Sequence, residues 1–295
     1  MKKILSLALA AALILSCAIF PALAESHPLM YKVTDKDGHS IYLLGTMHVI
    51  SAETLPIAHL DEILGQVDRV IFEVSAENME KLANGDQGEE DATQAAFAMA
   101  VEDNGLSDEV NNMIAEFMSN VYGQPVDLET IKHLSAQVLG QLMANQYMAA
   151  AGYDATGHGV DLEVYSKAKA LGLKIEGAET MDEQMSAVSV EGGDAASIEK
   201  QIVEMMGNPE GFKAQLDSLI NAYNTGDKDA LLAFFNQEGS RSSADAGRNA
   251  NFLKVAEDAL KNGGRTLIAI GLYHIIAEDG LFNTLTQAGY TVEAL

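Results

Sequence analysis

The chain has 295 residues, 48% of them hydrophobic and 21% charged, which is the composition of a globular protein able to bury a large core. Its 43 acidic and 18 basic residues give a formal net charge of −25. That charge argues against a nucleic-acid backbone or an anionic membrane surface as a partner.

The amino terminus has the features of a secretory signal peptide. Two lysines precede an apolar run from Ile4 to Phe20, and Ala22-Leu-Ala24 supplies the small side chains that a signal peptidase requires. We therefore predict a signal peptide at residues 1–24, a mature domain at residues 25–295, and a periplasmic or secreted location. No later stretch is long and apolar enough to predict a transmembrane segment.

The single cysteine, Cys17, lies inside the predicted leader, so the mature chain is expected to have neither a disulfide nor a thiol nucleophile. An alternative processing route would attach a lipid to Cys17 and anchor the protein to a membrane. Leu15 is unusual at its place before such a cysteine, and the apolar run continues to Phe20. Both features favour cleavage after Ala24 over lipidation.

The first part of the mature chain predicts a hairpin followed by a strand–helix–strand unit. Two β-rich runs, 29–34 and 39–44, flank the turn sequence Asp35-Lys-Asp-Gly38. Pro56 begins a predicted helix that ends at Gln66, and residues 70–74 form the next predicted strand. Strands joined in this way are parallel, and we expect these two to be direct neighbours.

Two stretches at opposite ends of the chain share one pattern, an apolar run followed by glycine, two residues and histidine. They are Ile41 to His48 and Leu267 to His274. The apolar runs predict buried strands, and open α/β sheets bind ligands at the carboxyl edges of their strands. We therefore expect both histidines at one edge, together with Glu73 from the next predicted strand. A carboxylate there is costly unless it is paired or ligated, although a strand-end residue facing solvent is the simpler interpretation.

Most of the chain between these two stretches has helical patterning. Ser107 and Asp127 are predicted helix caps, the second for a helix over residues 128–148, and Asp161 is most simply a third cap. The predicted fold class is α/β (α+β), with a central mixed sheet built from both ends of the chain and a large helical insertion.

His48, His274 and Glu73 are nitrogen and oxygen ligands that suit a divalent transition metal with an open coordination position. Such an ion activates water for hydrolysis, whereas without a metal the histidine–glutamate pair could act as a general base. The sequence lacks GxSxG, HExxH and GxxxxGK. These absences argue against a serine elbow, a helical zinc-protease motif and a phosphate-binding loop.

The combined motifs resemble the TraB/GumN family, which is related to the Tiki metalloproteases and more distantly to erythromycin esterase-like and ChaN-like proteins. The resemblance spans nearly all of the predicted mature chain. Its parts are Tyr42 to His48, Phe72-Glu73, Gly159 to Asp161, Arg248-Asn249, Gly271 to Leu281, and Gly289 to Val292.

The resemblance implies a metal-dependent hydrolase of the peptidase class, acting on a peptide or another small molecule, and the predicted leader implies that this hydrolase is exported. By position, it makes His48, Glu73 and His274 the metal ligands, with manganese or cobalt as the ion and zinc as the alternative. It assigns catalytic roles to Glu73, Arg248 and Asn249. Arg248 would polarise or orient the substrate, and its alternative role is a structural salt bridge to an acidic helix.

Two other functions stay open at this stage. The same histidines could hold a metal or a haem-like ligand in a scavenging protein without catalysis, and a degenerate family member could act only as an interaction module. Both histidines and Glu73 are present, which argues against the degenerate member.

Tyr273 stands where many relatives have a smaller residue, and we expect it to narrow the cleft or to donate a hydrogen bond. Gly247 stands where relatives often carry glutamate.

Overall fold

The central sheet draws its strands from both ends of the chain. The computed structural model describes residues 26–47, 50–51, 56–84, 100–154, 159–180, 194–236 and 243–295. Strands in these ranges are β1 (Met30–Thr34), β2 (Ser40–Thr46), β3 (Ile50–Ser51), β4 (Arg69–Phe72), β5 (Tyr153–Asp154), β6 (Lys174–Gly177), β7 (Thr266–Gly271) and β8 (Thr291–Ala294). One sheet has six strands in the order β6-β4-β7-β2-β1-β8, and β3 pairs with β5. The predicted α/β (α+β) class is confirmed.

The first two strands form the predicted hairpin. β1 runs antiparallel to β2, with Met30 opposite Leu44. In the turn, the Asp35 carboxylate accepts hydrogen bonds from the backbone N–H of Asp37 (2.9 Å) and of His39 (2.8 Å). These are the bonds by which an aspartate side chain stabilises a tight turn.

The prediction that β2 and β4 are direct neighbours is wrong, because β7 lies between them. The strands β2, β7, β4 and β6 are all parallel, and Thr266 of β7 lies opposite Ile41 on one side and Arg69 on the other. The residues from Leu267 to Ile270 are fully buried, as a strand covered on both faces requires. The apolar pattern predicts a buried strand but does not fix its place in the order. In this order, the strand that leads to His274 lies between the strands that lead to His48 and Glu73.

Helices make up most of the rest of the described chain. They are α1 (Leu60–Leu64), α2 (Ala76–Asn84), α3 (Asp108–Tyr122), α4 (Leu128–His133), α5 (Ala136–Ala150), α6 (Val160–Ala170), α7 (Ala195–Gly207), α8 (Pro209–Thr225), α9 (Lys228–Phe235), α10 (Ser243–Lys261), α11 (Leu272–Ile276) and α12 (Leu281–Gln287). Among them, none combines the length and the apolar character needed to cross a membrane.

The helix predicted from Pro56 to Gln66 is shorter than its apolar pattern indicates. Ser26 bridges to the segment before α1, since its N–H donates to Pro56 O (2.8 Å) and its carbonyl accepts from Ala58 N–H (2.9 Å). His59 then adopts a left-handed φ of 61°, so the regular helix begins only afterwards. A contact with a distant part of the chain therefore sets this boundary.

The long helix predicted over residues 128–148 is two helices. Asp127 caps α4 as expected, but Leu134 is extended, and the Ser135 hydroxyl accepts from Val138 N–H to cap α5. Serine and aspartate are both good caps, so the sequence holds two start signals within ten residues. The cap predicted at Ser107 is confirmed by its bond from Val110 N–H.

Asp161 is not the cap of its helix. Gly159 occupies the cap position of α6 without a side-chain bond, and Asp161 lies in the first turn. A carboxylate in the first turn still interacts favourably with the positive end of the helix dipole.

Three hydrophobic clusters of described residues support this arrangement. The largest packs helices α1, α6, α10, α11 and α12 on the sheet, with Phe72, Leu43 and Phe252 almost fully buried. The second lies among α3, α4, α5 and α7, and includes Ile114 and Met143. Burying such a side chain contributes about 1.5–3 kcal/mol. The third and smallest cluster includes Met148 and Leu216 and packs against Met47, the residue after β2. The helical insertion therefore has its own core and also contacts the chain that leaves the sheet.

Candidate functional site

The two glycine–histidine motifs begin on adjacent parallel strands. Gly45 lies opposite Ile270, and Thr46 lies opposite Gly271, in the register of β2 with β7. Leu272 packs directly over Gly45, and a Cβ added there would lie 3.2 Å from the Leu272 Cα and closer still to its side chain. The glycine of the first motif is therefore needed for close contact with the second motif.

His48 itself lies outside the described residues, but two hydrogen bonds hold the chain that leads to it. The Tyr223 hydroxyl on α8 donates to Gly45 O (2.7 Å), and Val160 N–H at the start of α6 donates to Met47 O (3.1 Å). Burial raises the pKa of Tyr223 well above its ordinary value, so the phenol remains a donor. Met47, the residue before His48, is thus anchored to the insertion.

His274 is buried in the short helix that follows β7, with 5% of its surface exposed. Its Nδ1 lies 2.7 Å from Asn249 Oδ1, and its ring packs against Phe252 with 4.9 Å between ring centroids. Burial and the nearby Arg248 cation lower the pKa of His274 to about 3. The imidazole is therefore neutral at neutral pH.

The neutral ring leaves one nitrogen as an acceptor. Because Asn249 Oδ1 can only accept, the proton of His274 sits on Nδ1 and the lone pair on Nε2. That Nε2 lies 3.9 Å from Glu73 Oε1, which is too long for a hydrogen bond. The structure thus brings the predicted site residues His274 and Glu73 together. Their two acceptor atoms, Nε2 and Oε1, lie 3.9 Å apart.

Glu73 immediately follows β4, and 7% of its surface is exposed. Its Oε1 accepts from Gly271 N–H (2.7 Å), and its Oε2 accepts from Arg248 Nη2 (3.3 Å). The carboxylate is buried and hydrogen-bonded at the carboxyl edge of the sheet. The simpler interpretation, a strand-end glutamate facing solvent, does not hold.

Arg248 lies between two carboxylates, and the second one, Glu179, was not found from the sequence. Arg248 Nε lies 3.0 and 3.2 Å from the two carboxylate oxygens of Glu179, and Nη2 lies 3.0 Å from one of them. Neither Glu73 nor Glu179 is on a helix. These two partners are therefore carboxylates that follow strands, and a salt bridge of Arg248 to an acidic helix stays a prediction.

A signal for Glu179 was present in the sequence. It follows the short strand β6 by two residues, as Glu73 follows β4 by one, and both strands end at the same edge of the sheet. The Glu179 N–H donates to Glu73 O (2.8 Å), so the two backbones are joined just beyond their strands. The reasoning that identified Glu73, a carboxylate just after a strand at the carboxyl edge of the sheet, applies equally to Glu179.

Two buried polar atoms near the motifs have no hydrogen-bond partner among the described residues. They are Asn249 Nδ2, on the amide whose Oδ1 binds His274, and Thr46 Oγ1 at the end of β2. The two side chains are 3% and 2% exposed. Leaving such groups unpaired costs about 1–3 kcal/mol each, so a buried orphan donor often marks a place where a ligand or water binds.

Tyr273 precedes His274 in the short helix α11. It is half-buried, whereas Leu272 and His274 on either side are buried. Its ring packs on Phe235 at 5.6 Å between centroids and lies 6.1 Å from the His274 ring. The narrowing of a cleft by Tyr273 stays a prediction.

The described part of the site suits a divalent cation in charge and in spacing. Two carboxylates and one guanidinium carry a formal charge of −1. Two ligands of a four-coordinate ion lie about 3.4 Å apart at ordinary bond lengths, so the 3.9 Å gap between His274 and Glu73 needs only a small closure. Within the described ranges, no group of three or more histidine, cysteine, aspartate or glutamate side chains could hold a metal ion. The third predicted ligand, His48, is outside those ranges.

Fold and site together define an α/β protein with a buried polar site at the carboxyl edge of a mixed sheet. A family model described as the TraB/PrgY/gumN family matches residues 29–294, nearly the whole chain. The protein therefore belongs to this family. No curated protein and no solved structure matches the chain.

Proposed function

We propose that the protein is an exported metal-dependent hydrolase of the peptidase class, whose ion is held by His48, Glu73 and His274. One observation carries the proposal. The unprotonated Nε2 of His274 faces Glu73 Oε1 at 3.9 Å, so two acceptor atoms converge where a cation could join them. Family membership agrees with it, because the match over residues 29–294 includes all three side chains.

An ion of manganese, cobalt or zinc bound there would supply Lewis-acid activation of water for attack on a carbonyl. The chain's own contribution is to orient the ligands before an ion or a substrate arrives. Asn249 fixes the tautomer of His274, and the Gly271 N–H holds one oxygen of Glu73. Such supporting bonds are the usual way in which proteins orient histidine and carboxylate ligands.

Asn249 and Arg248 are the proposed substrate-orienting residues. Asn249 Nδ2 is a buried donor that finds no acceptor in the described part of the chain, and it belongs to the side chain that holds His274. It can therefore donate to a substrate carbonyl beside the reacting centre. Arg248 keeps a fixed positive charge next to Glu73, where it can stabilise negative charge that develops on that carbonyl.

Export rests on the sequence alone, because residues 1–25 lie outside the described ranges. The basic start, the apolar run and the small residues before Glu25 support it. The formal charge of −25 disfavours strongly anionic substrates, so a neutral or basic peptide is the better candidate.

The test is metal analysis of the purified protein, followed by a peptide-library assay with Mn²⁺, Co²⁺ and Zn²⁺. We expect cleavage that disappears in His48→Ala and His274→Ala. His39→Ala is the matched control, because His39 lies exposed in the hairpin turn and should leave cleavage unchanged. Tight metal binding without cleavage of any peptide would refute the hydrolase and leave a scavenging protein. Absence of metal binding would refute the site itself.

A further inference from the structure

Arg248 presents a physical problem for a cation site. Its guanidinium is always charged at accessible pH, and it lies 3.3 Å from Glu73, one of the proposed metal ligands. A positive charge at that distance repels a divalent ion twice as strongly as a monovalent one. The site needs a compensating group if Glu73 is to bind a metal.

Glu179 is placed to compensate that charge. It makes three contacts of 3.0 to 3.2 Å with Arg248, whereas Glu73 makes a single contact of 3.3 Å. The side chain of Glu179 is 3% exposed and that of Arg248 is 14% exposed, so solvent screens the pair weakly. Paired arginine–carboxylate geometry of this kind is strong and directional. Of these two carboxylates, Glu179 is therefore the main counter-charge of Arg248.

The backbone around Glu179 is fixed independently of its side chain. Its N–H donates to Glu73 O (2.8 Å), and the preceding Ala178 carbonyl accepts from Asn251 Nδ2 (2.9 Å). Replacing the carboxylate by an amide of the same shape should therefore change the local charge with little movement of the chain. The effect of the Glu179 charge can therefore be tested without a change in the position of the side chain.

We infer that Glu179 is the charge-compensating residue of the cation site, and that it lets Glu73 bind a divalent ion beside a permanent arginine. The inference rests on the proposed function, because it assumes that an ion binds at Glu73 and His274. With Glu179 ionised, the three charged side chains carry a formal charge of −1. Without that carboxylate, they carry no net charge and the attraction for a cation is lost.

A purely structural role for Glu179 makes a different prediction. If Glu179 only held Arg248 in position, removal of both side chains would leave the site at least as damaged as removal of Glu179 alone. If Glu179 acts through charge, removal of both restores the formal charge of −1 from Glu73 alone and restores binding. The double variant therefore separates the two explanations.

The experiment is a titration of the purified full chain with Co²⁺, followed by visible absorbance and by calorimetry. We expect Glu179→Gln to weaken Co²⁺ binding at least tenfold. The double variant Glu179→Gln with Arg248→Met should bind within about threefold of the wild type. Removing a buried charged pair together is commonly tolerated, so this variant should fold. Glu179→Asp keeps the charge and should also bind within about threefold, even if Glu179→Gln proves unstable.

Glu176→Gln is the matched control. Glu176 lies three residues earlier and pairs with Arg69 at 3.0 Å rather than with Arg248, so its loss should leave Co²⁺ binding unchanged. Equal weakening of Glu179→Gln and the double variant, or no weakening in Glu179→Gln, would overturn this inference while the proposed function stands. A wild-type protein that binds no divalent cation would overturn both.

Discussion

Gly271→Ala tests the site through a single methyl group. Gly271 is the last residue of β7, and its N–H donates to Glu73 Oε1 at 2.7 Å. A Cβ at this position would lie 2.8 Å from the same oxygen and 3.6 Å from Cδ2 of His274. Real Cβ atoms essentially never approach an oxygen that closely. The carboxylate must move, and by moving it loses the bond that holds it.

The size of the effect follows from that bond. Hydrogen bonds to charged groups contribute about 1.5–3 kcal/mol, so Gly271→Ala should lower the free energy of unfolding by about 2 kcal/mol. Alanine fits the backbone of this residue, whose φ is −48° and ψ 132°, so no strain penalty is added. The melting temperature of a chain this long should fall by about 3–4 °C. Movement of Glu73 should also weaken Co²⁺ binding.

Gly247→Ala is the matched control, and it should have the opposite sign. Gly247 lies on α10 beside Arg248, and a Cβ there meets no atom within 4 Å. Alanine in a helix is more stable than glycine by about 0.5–1 kcal/mol, so this variant should gain stability. Urea unfolding followed by circular dichroism measures both variants. A Gly271→Ala protein as stable as the wild type would refute the geometry assigned to Glu73.

Three further predictions concern other parts of the molecule. Because the pKa of His274 is lowered to about 3, against about 6.5 when unfolded, its contribution to stability is complete above pH 6.5 and is lost as the pH falls towards 3. Metal-free wild type should therefore lose about 2 kcal/mol more than His274→Asn between pH 7 and pH 5, and equal losses in urea unfolding would contradict this. Tyr223→Phe removes the hydrogen bond to Gly45 O and should cost about 0.5–1.5 kcal/mol. The exposed Tyr122→Phe should change stability by less than about 0.5 kcal/mol. An equal effect in both variants would count against the anchoring bond. Amino-terminal sequencing of exported protein should begin at Glu25, and a lipid on Cys17 found by mass spectrometry would refute cleavage after Ala24.

At the two ends of the chain, the sequence pattern predicted the strands but not their order in the sheet. The apolar runs before Gly45 and Gly271 predicted buried strands, and both form parallel strands of one sheet. The pattern could not give the strand order, because a run buried on both faces fits any central position. The hydrogen-bonded pairing of the strands in the tertiary structure shows that β7 lies between β2 and β4.

The sequence predicted helix boundaries correctly where a side chain caps the helix beside it. Ser107 and Asp127 cap their helices as their side chains predict. The start of α1 did not follow, because Ser26 bonds to the chain on both sides of Ile57, and no local pattern records that contact. Distant partners decide such boundaries.

The candidate site divides in the same way. Residue type and position after an apolar run identified His274 and Glu73, because those features are local. The sequence did not identify Glu179 as the partner of Arg248, nor Asn249 as the acceptor that fixes the tautomer of His274. These roles depend on residues from α10 and from the end of β6 meeting at one edge of the sheet. The sequence by itself determined which groups can do chemistry, and the tertiary structure decided which charges face one another, because burial and pairing arise only when distant segments pack.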